Sequence, residues 1–321
     1  HGSAGWDGRH ETIAGGRLTQ PQHVLVDLAT FATVTWESEV QSQRFGLRKA
    51  FNSAFRTPAL PSWNGMWKWR AHRLRLAYAK GFRAPTLKEL HFQFIDVNHQ
   101  LFGNTSLRPE TSHFMQLHWQ LSGDLDFSIR AYSNVVTDQI GLVDQLDGTY
   151  QYVNFTGFSS RGAEVQVHTS NAQFELNVGV SGFKAQTNLA NSGEEADISK
   201  PAAPLTVEGQ SELTWNINSQ LQSSIFVKYN GARQRVIQDA DGALKLVTAP
   251  AYTLLDFNLL NWSSPADRLH IALRFKNLLN VTSVSNGVNT SGPEAHTAGL
   301  TPIAGGRSAV VRLTYQWNQN R

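Results

Sequence analysis

Residues 124–145, 149–169 and 221–240 read as strand segments of about twenty residues each, where strands of globular domains usually stop after about five or six. A period of two puts every second side chain on the same face of a strand. In RLHIALRFKN, Leu269, Ile271, Leu273 and Phe275 take one face, and His270, Arg274 and Lys276 the other. SAVVRLTYQW sets Ala309, Val311, Leu313, Tyr315 and Trp317 against Arg312, Thr314 and Gln316, and DFSIRAYSN and FELNVGVS repeat the pattern. One face of each segment is oily, the other hydrophilic. A soluble sandwich would alternate in the same way, so length and wiring decide. A strand tilted through a bilayer needs only about 9–11 residues, and these segments are long enough to cross one and project beyond it.

The connections also alternate. Short turns fall at RAH (70–72), SGD (122–124), SNAQ (170–173), NSQ (218–220) and SSPAD (263–267), and long excursions at 87–111, 187–204 and 286–306. Asp-Gly hairpins at 146–148 and 240–242 depart from that rhythm. Short turns on one rim and long loops on the other are the wiring of outer-membrane barrels, with the short side periplasmic. The spacing predicts about fourteen strands, at 11–18, 23–36, 40–53, 58–69, 72–86, 112–122, 124–145, 149–169, 173–189, 205–217, 221–240, 243–262, 268–285 and 305–317. A turn of helix is expected only at TLKEL.

Composition closes off other classes. Charged residues make up 17% of the chain against about a quarter in soluble proteins, while nine Trp, seventeen Phe and 25 Gly suit strands and turns. A net charge of +3 with no Lys/Arg block gives nucleic acid little to bind. The absence of cysteine removes disulfide frameworks, thiolate zinc sites and cysteine nucleophiles. No run of eighteen apolar residues could form a spanning helix, and a barrel needs none. HGSAGWDGRH has neither the basic nor the apolar region of a signal peptide. No phosphate loop, His-Glu-x-x-His or nucleophile elbow is present, so no catalytic residues and no resident metal are expected.

GFRAPTLKEL (81–90) ends a strand, and GNTSLRPE (103–110) leads into the next. Together they resemble the paired boxes of TonB-dependent outer-membrane receptors, with Thr105 where a proline is usual and Arg108 where a lysine is usual. The strand with Tyr132 and Asn134, then SSRGAEVQV (159–167), FKNLLN (275–280) and a final aromatic strand follow in the family's order. The resemblance implies an all-β, antiparallel transmembrane β-barrel fragment over residues 1–321, about fourteen strands of a 22-stranded barrel, with the plug domain outside it. The tail NQNR after Trp317 departs from members that end on the aromatic. An isolated piece is expected either to curl into a smaller closed barrel or to stay an open sheet with two unpaired edges.

The same resemblance implies a bacterial outer-membrane receptor and not an enzyme. Its partners would be outer-membrane lipid, a TonB energy-transducing complex acting through the plug, and a transported iron chelate such as a ferric siderophore. Phe82, Arg83, Pro85, Glu89, Asn104, Leu107, Pro109 and Glu110 are then the loop-anchoring motif. Proline at 85 suits a strand terminus, because it lacks an N–H for the ladder, and Arg83 is expected to reach Glu89 or Glu110. His91 and His99, with Phe92, Phe94 and Phe102, are candidate ligand-binding residues, since neutral imidazole ligates haem iron and aromatics can flank a porphyrin. Haem enters only as a possible transported ligand, the bland alternative being polar loop histidines. A passive porin remains a further alternative. Trp63, Trp67 and Trp69 read as an interfacial girdle. Arg130, Glu164, Arg274, Lys276 and Arg312 read as interior charges that pair with one another or face a plug. DADGALK lacks the full ligand set of a calcium loop and reads as a hairpin.

Overall fold

The computed structural model describes all residues except 96–99, 145–148, 189–203, 239–243, 266–267, 286–299 and 318–321. From the N-terminus, long strands follow one another: β1 (Gly2–Ala14), β2 (Gln22–Glu37), β3 (Gln41–Asn52), β4 (Ala59–Trp69) and β5 (His72–Arg83). A short helix, α1 (Leu87–His91), and two three-residue strands, β6 (Gln93–Ile95) and β7 (Gln100–Phe102), fill the first long connection. Next come β8 (Glu110–Leu121), β9 (Leu125–Asp144), β10 (Thr149–Ser170), β11 (Phe174–Asn188), β12 (Thr206–Asn218) and β13 (Leu221–Asn230). The remainder is β14 (Arg233–Gln238), β15 (Leu244–Ala249), β16 (Tyr252–Ser263), β17 (Leu269–Lys276), β18 (Ser283–Ser285), β19 (Leu300–Pro302) and β20 (Ser308–Tyr315).

One sheet takes the fourteen long strands in the order β1-β2-β3-β4-β5-β8-β9-β10-β11-β12-β13-β16-β17-β20, with β6 and β7 attached off that path. Each neighbour along the path is antiparallel. Among the described residues β1 pairs only with β2 and β20 only with β17, so the ribbon is open. This is the open-sheet outcome, not a closed fourteen-stranded barrel.

Four sequence expectations are corrected. The first strand begins at Gly2, not residue 11, and its pattern is faint because glycines occupy several of its positions. The segment 221–240 splits at Gly231-Ala232, after which β14 leaves the main sheet and, among the described residues, pairs only with β15. Pro250-Ala251 divides 243–262 in the same way. Residues 268–285 break after Lys276, where Asn277 and Asn280 adopt φ of 52° and 58° and end the ladder. The Asp-Gly hairpins at 146–148 and 240–242, most of the excursions at 187–204 and 286–306, and NQNR lie outside the described residues.

The registers carry the alternation from strand to strand. Leu117 opposes Leu76 and Ala131, and Val165 opposes Ile129 and Val180, so one face of the sheet carries an apolar band from strand to strand. It is also bare: Val34 is 61% exposed, Phe45 56%, Val311 71% and Leu313 68%. Among the described residues buried hydrophobics are few, namely Leu25, Ala29, Leu87, Leu90, Leu107, Ile140 and Ala272. Among the described residues no second sheet covers the apolar face, which excludes a sandwich with a dry centre. A soluble monomer rarely exposes so large an apolar surface; a barrel wall in lipid must.

Aromatic rings line the short-turn end. His72 stacks between Trp69 and Trp119 at 5.5 and 5.7 Å, Trp119 meets Phe127 edge-on at 5.8 Å, Phe174 stacks on Trp215, and Tyr315 meets Trp317. Such a belt marks a membrane–water interface. Trp63 and Trp67 pack edge to face on the same outer surface, with Trp63 Nε1 donating to Gln43.

Candidate functional site

The long-loop rim is organised by the end of β5. Pro85 is fully buried, and its missing N–H ends the ladder just past Arg83. Thr86 then caps α1: Glu89 N donates to Thr86 Oγ1 at 3.2 Å, and Thr86 N donates to Glu89 Oε2 at 2.7 Å. This reciprocal capping box satisfies donors that a one-turn helix would otherwise leave orphaned. Leu87 and Leu90 point inward from the turn, and Leu90 packs with Leu107 and Ile140, flanked by Phe55 and Tyr152.

Arg83 ties this turn to the returning strand. Its Nη1 donates to both oxygens of Glu89, at 2.9 and 3.0 Å, and its Nη2 to Glu110 Oε1 at 2.7 Å. Arg83 and Glu110 are register partners on β5 and β8, so the loop leaves and re-enters the sheet at one point. Glu110 Oε1 also accepts the N–H of Ile140, bringing β9 into the knot. Phe82 lies beside it on the apolar face, opposite Thr111.

The second box fastens the loop to β10. Asn104 N donates to the Glu89 carbonyl, and its Nδ2 to the Tyr152 carbonyl at 2.8 Å. Gly103 presses on α1 so closely that a Cβ there would lie 2.7 Å from His91 N. Arg108 N donates to Asn154 Oδ1, Asn154 Nδ2 donates back to the Arg108 and Asp138 carbonyls, and Arg108 Nη2 pairs with Asp138 at 2.6 Å. Leu107 is buried and Pro109 half-buried between these ties. β7 adds a short parallel pairing to β10 at residues 149–151.

The candidate ligand residues divide. His91 stacks on His23, ring centroids 3.4 Å apart and 7° from parallel, and Thr19 Oγ1 lies 3.2 Å from His91 Nδ1 and from His23 Nε2. Burial, and then the neighbouring His23, push the His91 pKa below its usual value. Phe92 and Phe94 stack at 6.3 Å, with Lys88 over the first ring and the Arg17 guanidinium 4.9 Å from the second. Phe102 opposes Gln93 across the hairpin. His99 lies outside the described residues. Sequence reasoning missed Arg17 and Thr19, which arrive from the β1–β2 connection, His23 at the start of β2, and Asp138, Ile140, Tyr152 and Asn154, which arrive from β9 and β10.

On the polar face Arg130 pairs with Glu164, as expected of interior charges. Arg274, Lys276 and Arg312 are in no ion pair with described residues. A cleft of about 410 Å³ lies near the short-turn end, lined by His118, Gln120, Asp126, Gln166, Asn177 and Glu212. Among the described residues no group of three metal-ligating side chains converges.

The family profile described as TonB dependent receptor-like, beta-barrel matches residues 5–280. Among solved structures, the FrpB iron transporter from Neisseria meningitidis (F5-1 variant) superposes with a TM-score of 0.70 at 14% identity, covering 98% of this chain and 53% of that one. The siderophore receptor PirA from Pseudomonas aeruginosa gives 0.66 at 14% identity, with 98% and 51% covered. A mutant ferric enterobactin receptor PfeA from Pseudomonas aeruginosa, in complex with enterobactin, gives 0.70 at 17% identity, with 94% and 47% covered. The chain spans about half the length of these structures, and at such identities they speak for the fold. No curated protein sequence matches it.

Proposed function

This chain belongs to the TonB-dependent receptor family, and from that premise we propose that it forms barrel wall and external rim of a bacterial outer-membrane receptor importing a scarce nutrient, a ferric siderophore or similar metal chelate. The family is one of receptors and transporters, not enzymes. Energy would come from the TonB complex through a plug domain outside residues 1–321, with the polar face of the sheet as the wall around it.

The observation that carries this reading is the Arg83–Glu89–Glu110 knot. It fixes a connection between β5 and β8 over the long-loop rim, where ligand capture needs a preformed surface. Phe92 and Phe94, flanked by Lys88 and Arg17, offer aromatic and cationic groups suited to an anionic aromatic chelate. His91 serves haem less well, because its ring is stacked on His23 and its Nδ1 is engaged by Thr19.

The test is uptake of radiolabelled iron from a panel of ferric chelates in iron-limited cells with and without the intact gene. Uptake of one chelate is expected to vanish on deletion, return on complementation and stop when the proton-motive force is collapsed. Unchanged uptake of every chelate, or uptake indifferent to the proton-motive force, contradicts the proposal.

A further inference from the structure

Arg161 on β10 and Lys184 on β11 are direct register partners, and both lie on the apolar, outward face. The parity is unambiguous, because Ala163, Val165 and Val167 follow Arg161 on the same side of β10, and Val178 and Val180 precede Lys184 on the same side of β11. Both side chains are exposed, and neither meets a carboxylate or a hydrogen-bond acceptor among the described residues. Two like charges facing each other across a ladder repel, and a cation on a lipid-facing surface costs most at mid-membrane and little at the interface. Among the described residues nothing offsets that arrangement, which leaves both charges open to a group outside the chain.

Height says where the partner sits. Phe174, in the aromatic belt of the short-turn end, and Lys184 are ten residues apart on β11. At about 3.4 Å per residue and a tilt of about 40° this is about 25 Å, the height of the apolar band. Arg161 and Lys184 therefore stand at the outer edge of that band, on the long-loop side. Lys80 and His113 oppose each other on β5 and β8 one pair further out, with Tyr78 hydroxyl 2.9 Å from His113 Nδ1. Lys80 lies three strand spacings from β10, about 14 Å away, and His113 two, about 10 Å. Ser133 and Ser159 add hydroxyls on the same outward face between the two groups.

Resting on the outer-membrane reading above, we propose that this outward patch binds the headgroup of a bis-phosphorylated glycolipid in the external leaflet. Arg161 and Lys184 hold one phosphate and Lys80 the other. Guanidinium and ammonium groups match phosphate oxygens, and the hydroxyls suit a sugar between them. A lipid with a single phosphate would leave one of the two cationic groups unmet.

The test uses the full-length receptor in phosphatidylcholine nanodiscs doped with bis-phosphorylated lipid A, its dephosphorylated form or phosphatidylglycerol, with retained lipid counted by native mass spectrometry. Wild type is expected to hold the bis-phosphorylated lipid at least about tenfold better than R161Q/K184Q, while R161K/K184R keeps it and the inward K276Q is without effect. Equal retention by wild type and R161Q/K184Q overturns the proposal, as does equal retention of phosphatidylglycerol or of dephosphorylated lipid. Heat-dependent gel mobility reports folding of each variant. A receptor that never enters the disc refutes the barrel reading itself and this inference with it, whereas one that inserts without retaining lipid refutes only the inference.

Discussion

Arg83 Nη2 and Glu110 Oε1 meet at 2.7 Å across twenty-seven residues of sequence, at the point where β5 ends and β8 begins. The Arg83 side chain is 41% exposed but that of Glu110 only 16%, so water screens one partner far more than the other. Removing the arginine leaves two poorly solvated carboxylates without their counter-charge. After allowance for screening, Arg83→Met is expected to cost about 1–2 kcal/mol of loop stability. Hydrogen exchange in a peptide covering 84–95 should then rise about 5- to 30-fold while β11 and β12 stay unchanged. Uniform protection throughout would show the knot to be passive.

The apolar plug beneath the loop predicts a larger effect. Leu90 and Leu107 pack with Ile140, and Leu107→Ala is expected to cost about 2–4 kcal/mol. Limited proteolysis should cut the β5–β8 connection of this variant first, leaving the remaining sheet intact. Simultaneous loss of the whole barrel would mean that the cluster supports more than the loop.

Gly103 makes a sharper prediction about the second box. A Cβ at this position would lie 2.7 Å from both His91 N and the Leu90 carbonyl carbon, which are backbone atoms of α1 and cannot swing aside. Gly103→Val should therefore detach the hairpin, raising exchange in both 84–95 and 100–109. Wild-type protection in that variant would contradict the close approach.

The contact between α1 and the β1–β2 connection should weaken in acid. Burial and His23 depress the His91 pKa, so the folded state favours the neutral ring. Its contribution is intact above the ordinary histidine pKa of about 6.5 and is lost as pH falls through the lower folded value. Exchange in peptides covering 17–24 and 87–95, corrected for intrinsic rate, should increase from pH 7.5 to 5.5 in wild type and lose that dependence in H91Q. The same pH dependence in H91Q would assign the effect elsewhere.

Much of this was legible in the sequence for a physical reason. Period-two patterns such as Leu269, Ile271, Leu273 and Phe275 fix which face a strand shows, and a slip of one residue would invert them all. TLKEL read as a turn of helix, though its capping box was not read from the sequence, and Arg83, expected to reach Glu89 or Glu110, reaches both. The β1 start was hidden because Gly2, Gly5 and Gly8 contribute no side chain to the pattern. The breaks at Gly231-Ala232 and Pro250-Ala251 were hidden because strand-forming residues resume beyond them, Val236 and Ile237 after the first and Tyr252, Leu254 and Leu255 after the second. Neither the His23–His91 stack nor the Ile140 N–H on Glu110 has a local signature, since each forms only where distant strands meet.

The claim on which the rest depends is that the apolar face meets lipid. Nitroxide labels placed one at a time at residues 176–181 of the full-length protein, which has no cysteine in residues 1–321 to interfere, would report it through their relaxation in reconstituted bilayers. Accessibility to oxygen, which concentrates in the acyl chains, should peak at Leu176, Val178 and Val180 and fall at Asn177, Gly179 and Ser181. A flat profile, or one with the opposite phase, would contradict the account.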